Sequence, residues 1–367
     1  MKNKIAIIGA GPVGCYIAQL LKSSDCESIL IEEHNEIGRP IHCTGLVGKK
    51  VFEGKNSLKI SPSAIINTIN GAVIHYNNQH FILQRERVAY VVDREKFDKE
   101  LSRNLKILFQ NKFLGLERVD SGYVIETDKD EIFANIIIGA DGANSVVRKI
   151  LNQNSDFRSY RGVQFRLETK VRYKDLVEVY LKKPSFFWIV PESENIVRIG
   201  TISDSPFKDL ENFMKEEKIK GEVLEKFGGA VTLGICNSTV RDNIAIVGDA
   251  ACQIKPLTYG GVYFGLKAAS ILADCIKENR LKDYDSLWKK ELLSEIKIGL
   301  TAKNIYTRLD EKEVKKIFDL LKYHKSLIEK VGDFESHSQI ILEILKKPAI
   351  YPQIASLSQL LFKKIII

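Results

Sequence analysis

The sequence has no apolar run long enough to cross a lipid bilayer, because a transmembrane helix needs about 20 predominantly apolar residues. Lys2 and Lys4 precede the apolar residues 5–8, which is the order found at the start of a signal peptide. The run is too short for that function, and a glycine motif follows it at once. We therefore expect a cytoplasmic protein.

Clustered cysteines are also absent. The six cysteines are scattered, and none belongs to a Cys-x-x-Cys pair or to a Cys/His cluster with zinc spacing. Buried, reduced thiols are the expected state in the cytosol. The sequence therefore predicts neither a disulfide framework nor a metal centre.

The net charge of +8 comes without the basic arm and interleaved aromatic residues that mark nucleic-acid binding. No nucleic-acid partner is therefore predicted. The excess charge suits phosphate-bearing ligands or an anionic lipid surface. A solvated, lysine-rich surface is the alternative interpretation.

The first 32 residues contain the complete pattern of a dinucleotide-binding βαβ unit. A short apolar strand runs into Gly9-Ala10-Gly11-Pro12-Val13-Gly14, a helical pattern follows, and a second apolar strand ends in Glu32. The glycines allow a tight turn and a close approach to a pyrophosphate, which the helix N-terminus would bind. Glu32 is placed to accept hydrogen bonds from ribose hydroxyls. The alternative is a glycine turn in an ordinary α/β domain.

No internal repeat or low-complexity linker divides the 367 residues, so we expect two or three packed subdomains. Residues 1–70, 91–150 and 236–280 are predicted to form a discontinuous nucleotide-binding domain. Residues 71–90 and 151–235 are predicted to form an inserted antiparallel sheet, with one helix near 207–227. Residues 281–367 are predicted to form a helical region. The fold class is mixed α/β.

Four further segments carry recognisable motifs. They are Gly38-Arg39-Pro40-Ile41-His42-Cys43-Thr44-Gly45, Gly139-Ala140-Asp141-Gly142 with Arg148, Phe187-Trp188-Ile189-Val190-Pro191, and Gly248-Asp249-Ala250-Ala251 followed by Tyr259-Gly260-Gly261-Val262. Because of these four segments and the first glycine motif, the chain resembles FAD-dependent oxidoreductases of the p-hydroxybenzoate hydroxylase fold. It is most similar to the geranylgeranyl reductase family, which includes archaeal digeranylgeranylglycerophospholipid reductases. Val190 and Glu192 depart from that family's signature, which has Phe and frequently Lys there.

The resemblance implies FAD as the cofactor and assigns roles to particular residues. The implied cofactor-binding residues are Gly9, Gly11, Val13, Gly14, Glu32, Arg39, Cys43, Thr44, Leu46, Arg94, Asp249, Gly260, Gly261 and Val262. It places Cys43 near the flavin as a catalytic residue, and Phe187, Trp188 and Pro191 beside an isoprenoid substrate.

Each of these roles has a structural alternative. The Cys43 thiol can supply a proton to an alkene or be a small packing residue. Asp249 can contact the ribityl chain of FAD or cap a helix. Asp141 can lie near the pyrophosphate or cap the next helix. Trp188 and Phe187 can line a tunnel or belong to the sheet core.

The resemblance implies a reductase of isoprenoid double bonds in a prenyl diphosphate or an archaeal ether lipid. NAD(P)H or reduced ferredoxin, a small iron–sulfur protein, would supply the electrons. A flavin monooxygenase of an aromatic or polyene substrate and an electron-transfer flavoprotein are the rival functions. Residues 360–367 are apolar around a basic pair, so a peripheral contact with an anionic membrane is a further expectation.

Overall fold

The computed structural model describes residues 3–22, 24, 26–53, 58, 62–151, 157–183 and 185–346. The helices in this part of the chain are α1 (Pro12–Leu21), α2 (Arg94–Leu101), α3 (Val146–Leu151), α4 (Pro206–Glu216), α5 (Val262–Lys277), α6 (Tyr284–Arg308), α7 (Glu311–Tyr323), α8 (Lys325–Val331) and α9 (His337–Leu345). The strands are β1 (Asn3–Ile8), β2 (Cys26–Ile31), β3 (Leu46–Gly48), β4 (Ile65–Tyr76), β5 (Gln79–Val92), β6 (Ile107–Leu108), β7 (Phe113–Val119), β8 (Gly122–Thr127), β9 (Glu131–Ala134), β10 (Ile136–Gly139), β11 (Arg158–Glu168), β12 (Val177–Lys182), β13 (Ser185–Pro191), β14 (Ile196–Ser203), β15 (Glu222–Leu233), β16 (Val240–Arg241) and β17 (Ile244–Ile246).

The nucleotide-type sheet has six strands in the order β16-β17-β10-β1-β2-β6. The central strand β1 pairs in parallel with β2 and β10, and its apolar residues are buried. Near-continuous apolar strands are typical of parallel sheets covered on both faces. Helices α1 and α5 pack together in the core on one face. The small sheet β7-β8-β9 and α3 cover the other face, which confirms the mixed α/β fold with a Rossmann-type unit.

The second sheet has eight strands in the order β15-β11-β14-β13-β12-β4-β5-β3. Its strand pairs are antiparallel, except that β12 runs parallel to β4. β4 begins at Ile65, ahead of the predicted boundary at 71, and β5 continues to Val92. Both strands enter this sheet directly from the nucleotide-binding segments, so the sheet and the cofactor loops share residues at their border.

The helix predicted near 207–227 is wrong in its second half. Helix α4 ends at Glu216, and residues from Glu222 onward form β15. β15 pairs with β11 along its length. This tertiary pairing overrides the helical tendency of Lys and Glu residues in the segment, because strand preference depends on context.

The helices α6 to α9 follow the last strand and pack on both main sheets. α6 joins the core of the nucleotide-type sheet through residues such as Trp288 and Leu292. α7 packs Val314 and Phe318 against β4 and β5. None of the helices in the described residues is long and apolar enough to cross a membrane. The predicted membrane-contact segment at 360–367 lies outside the described residues.

Candidate active site

The glycine loop between β1 and α1 is closed on one side and open on the other. Gly9 has a φ of +98°, and a Cβ at Gly14 would lie 2.0 Å from the Gly9 carbonyl oxygen. β1 and α1 can therefore approach this closely only because residues 9 and 14 have no side chains. A Cβ at Gly11 would meet nothing within 4 Å. The open face of the loop is where a pyrophosphate could reach the backbone.

Glu32 follows β2 and lies beside the same loop. Its carboxylate accepts hydrogen bonds from the backbone N–H of Ala10 at 2.8 Å and of His34 at 3.1 Å. The His34 ring lies 2.5 Å from the same carboxylate. Glu32 is therefore held at the carboxyl end of β2, which is the position expected of a ribose-binding acid.

Val13 has a packing role in the loop. Its side chain fills the space beside Gly248 and Gly265, where an added Cβ would lie 3.1 and 2.5 Å from it. This contact joins the start of α1 to α5 and to the Asp249 turn.

Asp249 lies against the start of α5. A Cβ at Gly261 would be 2.3 Å from Asp249 Oδ1, so only glycine fits there. Gly261 is the N-cap of α5 and provides no side-chain cap, and Val262 is the first helical residue. Among the described residues, the Asp249 carboxylate makes no hydrogen bond. Burial raises its pKa, against the opposing effects of Arg94 and Arg148.

Cys43 lies in the loop before β3, close to Arg94. Its sulfur accepts a hydrogen bond from the Gly45 N–H at 3.3 Å. The Arg94 guanidinium binds Asp98 at 2.8 Å and is 12% exposed. Burial acts to lower the pKa of Arg94, but the neighbouring Asp98 and Cys43 raise it above its usual value. The Arg94 side chain also lies against the Cys43 loop, because a Cβ at Gly45 would be 3.5 Å from Arg94 Cγ.

A second ion-pair network holds the Cys43 loop from the eight-stranded sheet. Arg198 donates to the Thr44 carbonyl at 2.6 Å and to the Val92 carbonyl at 3.1 Å, and binds Glu192 at 3.0 Å. Arg166 binds the same carboxylate at 2.7 Å. Burial acts to raise the pKa of Glu192, but the two arginines lower it below its usual value. Sequence analysis noted Glu192 only as a departure from a signature.

Arg39 lies at the rim of an open cleft. Its guanidinium is half-exposed and binds Glu95 at 2.9 Å. The cleft has a volume of about 510 Å³ and lies between residues 34–42 and residues 225–228 of β15. His34, two residues after Glu32, also lines this cleft. Arg39 therefore lines a ligand-sized space, whereas Leu46 packs against the sheet core.

The Asp141 motif has a structural role. Asp141 accepts hydrogen bonds from the Ser145 hydroxyl at 2.6 Å and from the Val146 N–H at 2.7 Å. Arg148 donates to the carbonyls of Asp249 and Ala250 at 3.2 and 3.1 Å. The motif therefore caps α3 and fixes the Asp249 turn in place.

The substrate residues predicted on β13 do not share one face of the sheet. Phe187 is buried and stacks on Phe213 of α4, with ring centroids 4.2 Å apart. Successive side chains on a strand point to opposite faces, so Trp188 lies on the other face and Pro191 on that of Phe187. Trp188 is half-buried, with Phe186 5.8 Å away. Phe186, which sequence analysis missed, replaces Phe187 as its partner.

The loop from Lys255 to Gly260 is held by the C-terminal region. Lys255 is buried and binds Glu335 at 2.7 Å and the Phe334 carbonyl at 2.8 Å. A Cβ at Gly260 would lie 2.9 Å from the Lys255 side chain. Glu295 of α6 accepts a hydrogen bond from the His337 N–H at 2.7 Å and fixes the start of α9. The turn after Asp249 is therefore supported by residues more than seventy positions further along the chain.

These residues fit a dinucleotide cofactor. The glycine loop is open at Gly11, and the Asp249 carboxylate lies beside the helix start without a hydrogen-bonding partner among the described residues. Asp249 is half-buried, so its carboxylate is accessible as an acceptor. A hydroxyl-bearing ligand along this edge would supply the donor.

Comparison with known proteins agrees with this geometry. Residues 7–73 match the model of an NAD(P)-binding Rossmann-like domain. An uncharacterised protein of Methanocaldococcus jannaschii is 31% identical and covers 93% of this chain and 94% of its own length. A digeranylgeranylglycerophospholipid reductase of Methanococcus aeolicus is 28% identical over 86% of this chain and 90% of its own.

Among solved structures, a geranylgeranyl bacteriochlorophyll reductase-like protein from Thermoplasma acidophilum superposes with a TM-score of 0.78. It is 21% identical and covers 97% of this chain and 99% of its own. This likeness shows that the two chains share a fold over almost their whole length. The relatives in sequence establish that the chain belongs to the geranylgeranyl reductase family of oxidoreductases.

Proposed function

We propose that the protein is an FAD-dependent reductase that saturates double bonds of an isoprenoid chain. The substrate is a geranylgeranyl diphosphate or a geranylgeranylated archaeal ether lipid. The observation that carries the proposal is the Cys43 loop, which packs against Arg94 at Gly45 and is held by Arg198 of the eight-stranded sheet at the border with the nucleotide-binding segments. The named function of several relatives is consistent with it.

The chain's residues have separable tasks in holding the cofactor. Glu32 binds ribose hydroxyls, and Asp249 binds a hydroxyl of the ribityl chain. The N-terminus of α5, at Gly260, Gly261 and Val262, would provide backbone N–H groups to the flavin, where they would stabilise the negative charge of the reduced cofactor. FAD, when bound and reduced, supplies the hydride that adds to one alkene carbon. NAD(P)H or reduced ferredoxin restores the reduced cofactor.

Cys43 supplies the proton for the second alkene carbon. The S–H bond breaks as the new C–H bond forms, and the resulting thiolate lies beside the Arg94 guanidinium. Asp98 holds the guanidinium in position. Solvent returns a proton to sulfur after the product leaves.

An anaerobic assay separates this proposal from its rivals. The purified protein, loaded with FAD and chemically reduced, is mixed with geranylgeranyl diphosphate or a geranylgeranylated ether lipid without oxygen. Saturated product supports the reductase. Hydroxylated product and oxygen uptake, obtained only in air, would instead identify a monooxygenase. An electron-transfer flavoprotein would leave both lipids unchanged and pass its electrons to a protein acceptor.

Replacing Glu32 with alanine is expected to weaken FAD binding by about 1–3 kcal/mol, because a charged hydrogen bond to ribose is lost. The wild-type protein should purify yellow and release flavin on heating. Fluorescence titration of apoprotein with FAD measures the change. Glu33→Ala is the matched control, since Glu33 is exposed next to Glu32. Equal affinity in the two variants would remove Glu32 from the site.

The membrane expectation is tested by flotation with anionic liposomes. The full chain is compared with a version that ends at Ser358, which removes the basic and apolar residues 360–367. If the tail holds the protein at a lipid surface, only the full chain floats, and added salt releases it. If neither version floats, the substrate is captured without a tail anchor.

A further inference from the structure

A lysine lies among aromatic side chains beside the cofactor loop. Lys303, on α6, is half-buried, and its ammonium lies 4.5 Å from the ring centroid of Tyr160 and 4.3 Å from that of Tyr259. It also donates a hydrogen bond to the Tyr259 hydroxyl. Tyr160 belongs to β11, and Tyr259 directly precedes Gly260. Three separate parts of the chain therefore meet at one cation.

This cation has no carboxylate partner among the described residues, unlike Lys255 and Arg198. Lys255 is paired with Glu335, and Arg198 is paired with Glu192. Burial lowers the pKa of Lys303 to about 8. Two aromatic faces offset only part of the desolvation cost of an ammonium group. The charge is therefore only partly compensated, and an anion would compensate it.

The surroundings specify what kind of anion fits. The Tyr160 hydroxyl makes no hydrogen bond with the described residues, so it remains available as a donor beside Lys303. On the other side, Phe186 stacks on Tyr259 with centroids 6.1 Å apart, and Trp188 follows at 5.8 Å from Phe186. The site therefore combines three polar donors with an adjoining apolar wall. Such a site matches a molecule that joins a charged head to a hydrocarbon chain.

We propose that Lys303, with the hydroxyls of Tyr160 and Tyr259, binds the phosphate of a prenyl phosphate ester. Phe186 and Trp188 contact the hydrocarbon next to that phosphate. The identity of the chain rests on the proposed function, but the recognition of the phosphate does not. Prenyl phosphate binding by Lys303 gives the substrate a fixed end, from which its double bonds extend along the aromatic wall.

Equilibrium binding tests this assignment without turnover. The full chain with FAD bound is titrated with geranylgeranyl phosphate and with geranylgeraniol, which lacks the phosphate. We expect the phosphate ester to bind roughly 10- to 100-fold more tightly, as for a charge-assisted hydrogen bond. Lys303→Met keeps the length of the side chain without its charge and should bring the ratio close to one. Lys303→Arg should restore most of the preference.

Lys297→Met is the matched control, because Lys297 is exposed on the same helix, and the ratio should stay at the wild-type value. An unchanged ratio in Lys303→Met would overturn the assignment. Competition by inorganic phosphate as strong as that by the ester would also overturn it, since the site would then serve free phosphate. If the protein binds geranylgeranyl phosphate more tightly than geranylgeraniol but reduces no alkene, the phosphate site is supported and the proposed function is refuted.

Discussion

Replacing Cys43 with serine is expected to slow alkene reduction about 10²-fold or more while FAD binding persists. A serine hydroxyl keeps the shape of the side chain but is a much weaker acid than a thiol. Arg94 packs against the same loop at Gly45, but it cannot compensate for a hydroxyl that does not release its proton. Single-turnover mixing of reduced protein with substrate under anaerobic conditions measures this step directly.

The matched control for this variant is Cys26→Ser. Cys26 is also a free, half-buried cysteine, but it lies at the start of β2, opposite Asn3. The Cys26→Ser variant should reduce the substrate at the wild-type rate. If Cys43→Ser does so too, with flavin content unchanged, Cys43 returns to a packing role and the proton comes from another group.

Replacing Glu192 with alanine is expected to lower the free energy of unfolding by about 3–5 kcal/mol, because it leaves buried arginine charge without its partner. Arg198 would lose the carboxylate that orients it towards the Thr44 and Val92 carbonyls. The Cys43 loop should loosen, and FAD should bind more weakly. Glu192→Gln keeps the shape of the side chain and one hydrogen-bond acceptor, so its stability and FAD affinity should lie between those of wild type and of Glu192→Ala. Urea unfolding and FAD titration measure both effects.

The same carboxylate predicts a pH dependence. The arginines hold the pKa of Glu192 below its usual value, so its stabilisation is complete above the unfolded pKa of about 4.3. Stability is lost as the pH falls through the lower, folded pKa. The difference between wild type and Glu192→Ala should therefore shrink in acid. Glu194→Ala removes an exposed acid two positions further along the chain and should leave the free energy of unfolding unchanged. A decrease as large as that of Glu192→Ala would refute a specific role for the ion pairs of Glu192 with Arg166 and Arg198.

Local patterns in the sequence predicted the parts of the site that depend on the backbone. The glycines before α1 and the acid after β2 are fixed by their own βαβ unit. The Asp249 turn follows a buried strand in the same way. In each case, the residues that define the feature are neighbours in the chain, so a short motif contains the information.

The parts that could not be predicted depend on contacts between distant segments. Arg198 and Thr44 are joined at 2.6 Å across 154 positions of sequence, and no local pattern marks that pair. Phe187 and Trp188 are adjacent in the motif, but strand alternation separates them, and only the packing of α4 decides which of them is core. Residues 222–227 form a strand because β11 is beside them.

The bond between Lys255 and Glu335 also sets the order in which the protein can mature during synthesis. Glu335 is translated 80 residues after Lys255 (335 minus 255), which takes roughly 4–16 s at about 5–20 residues per second. Until then, the lysine that supports the loop before Gly260 has no counter-ion. The nascent chain can complete its βαβ unit early, but the loop before Gly260 gains this support only when the last helices arrive. We therefore expect an FAD cofactor to load only after the whole polypeptide has been synthesised.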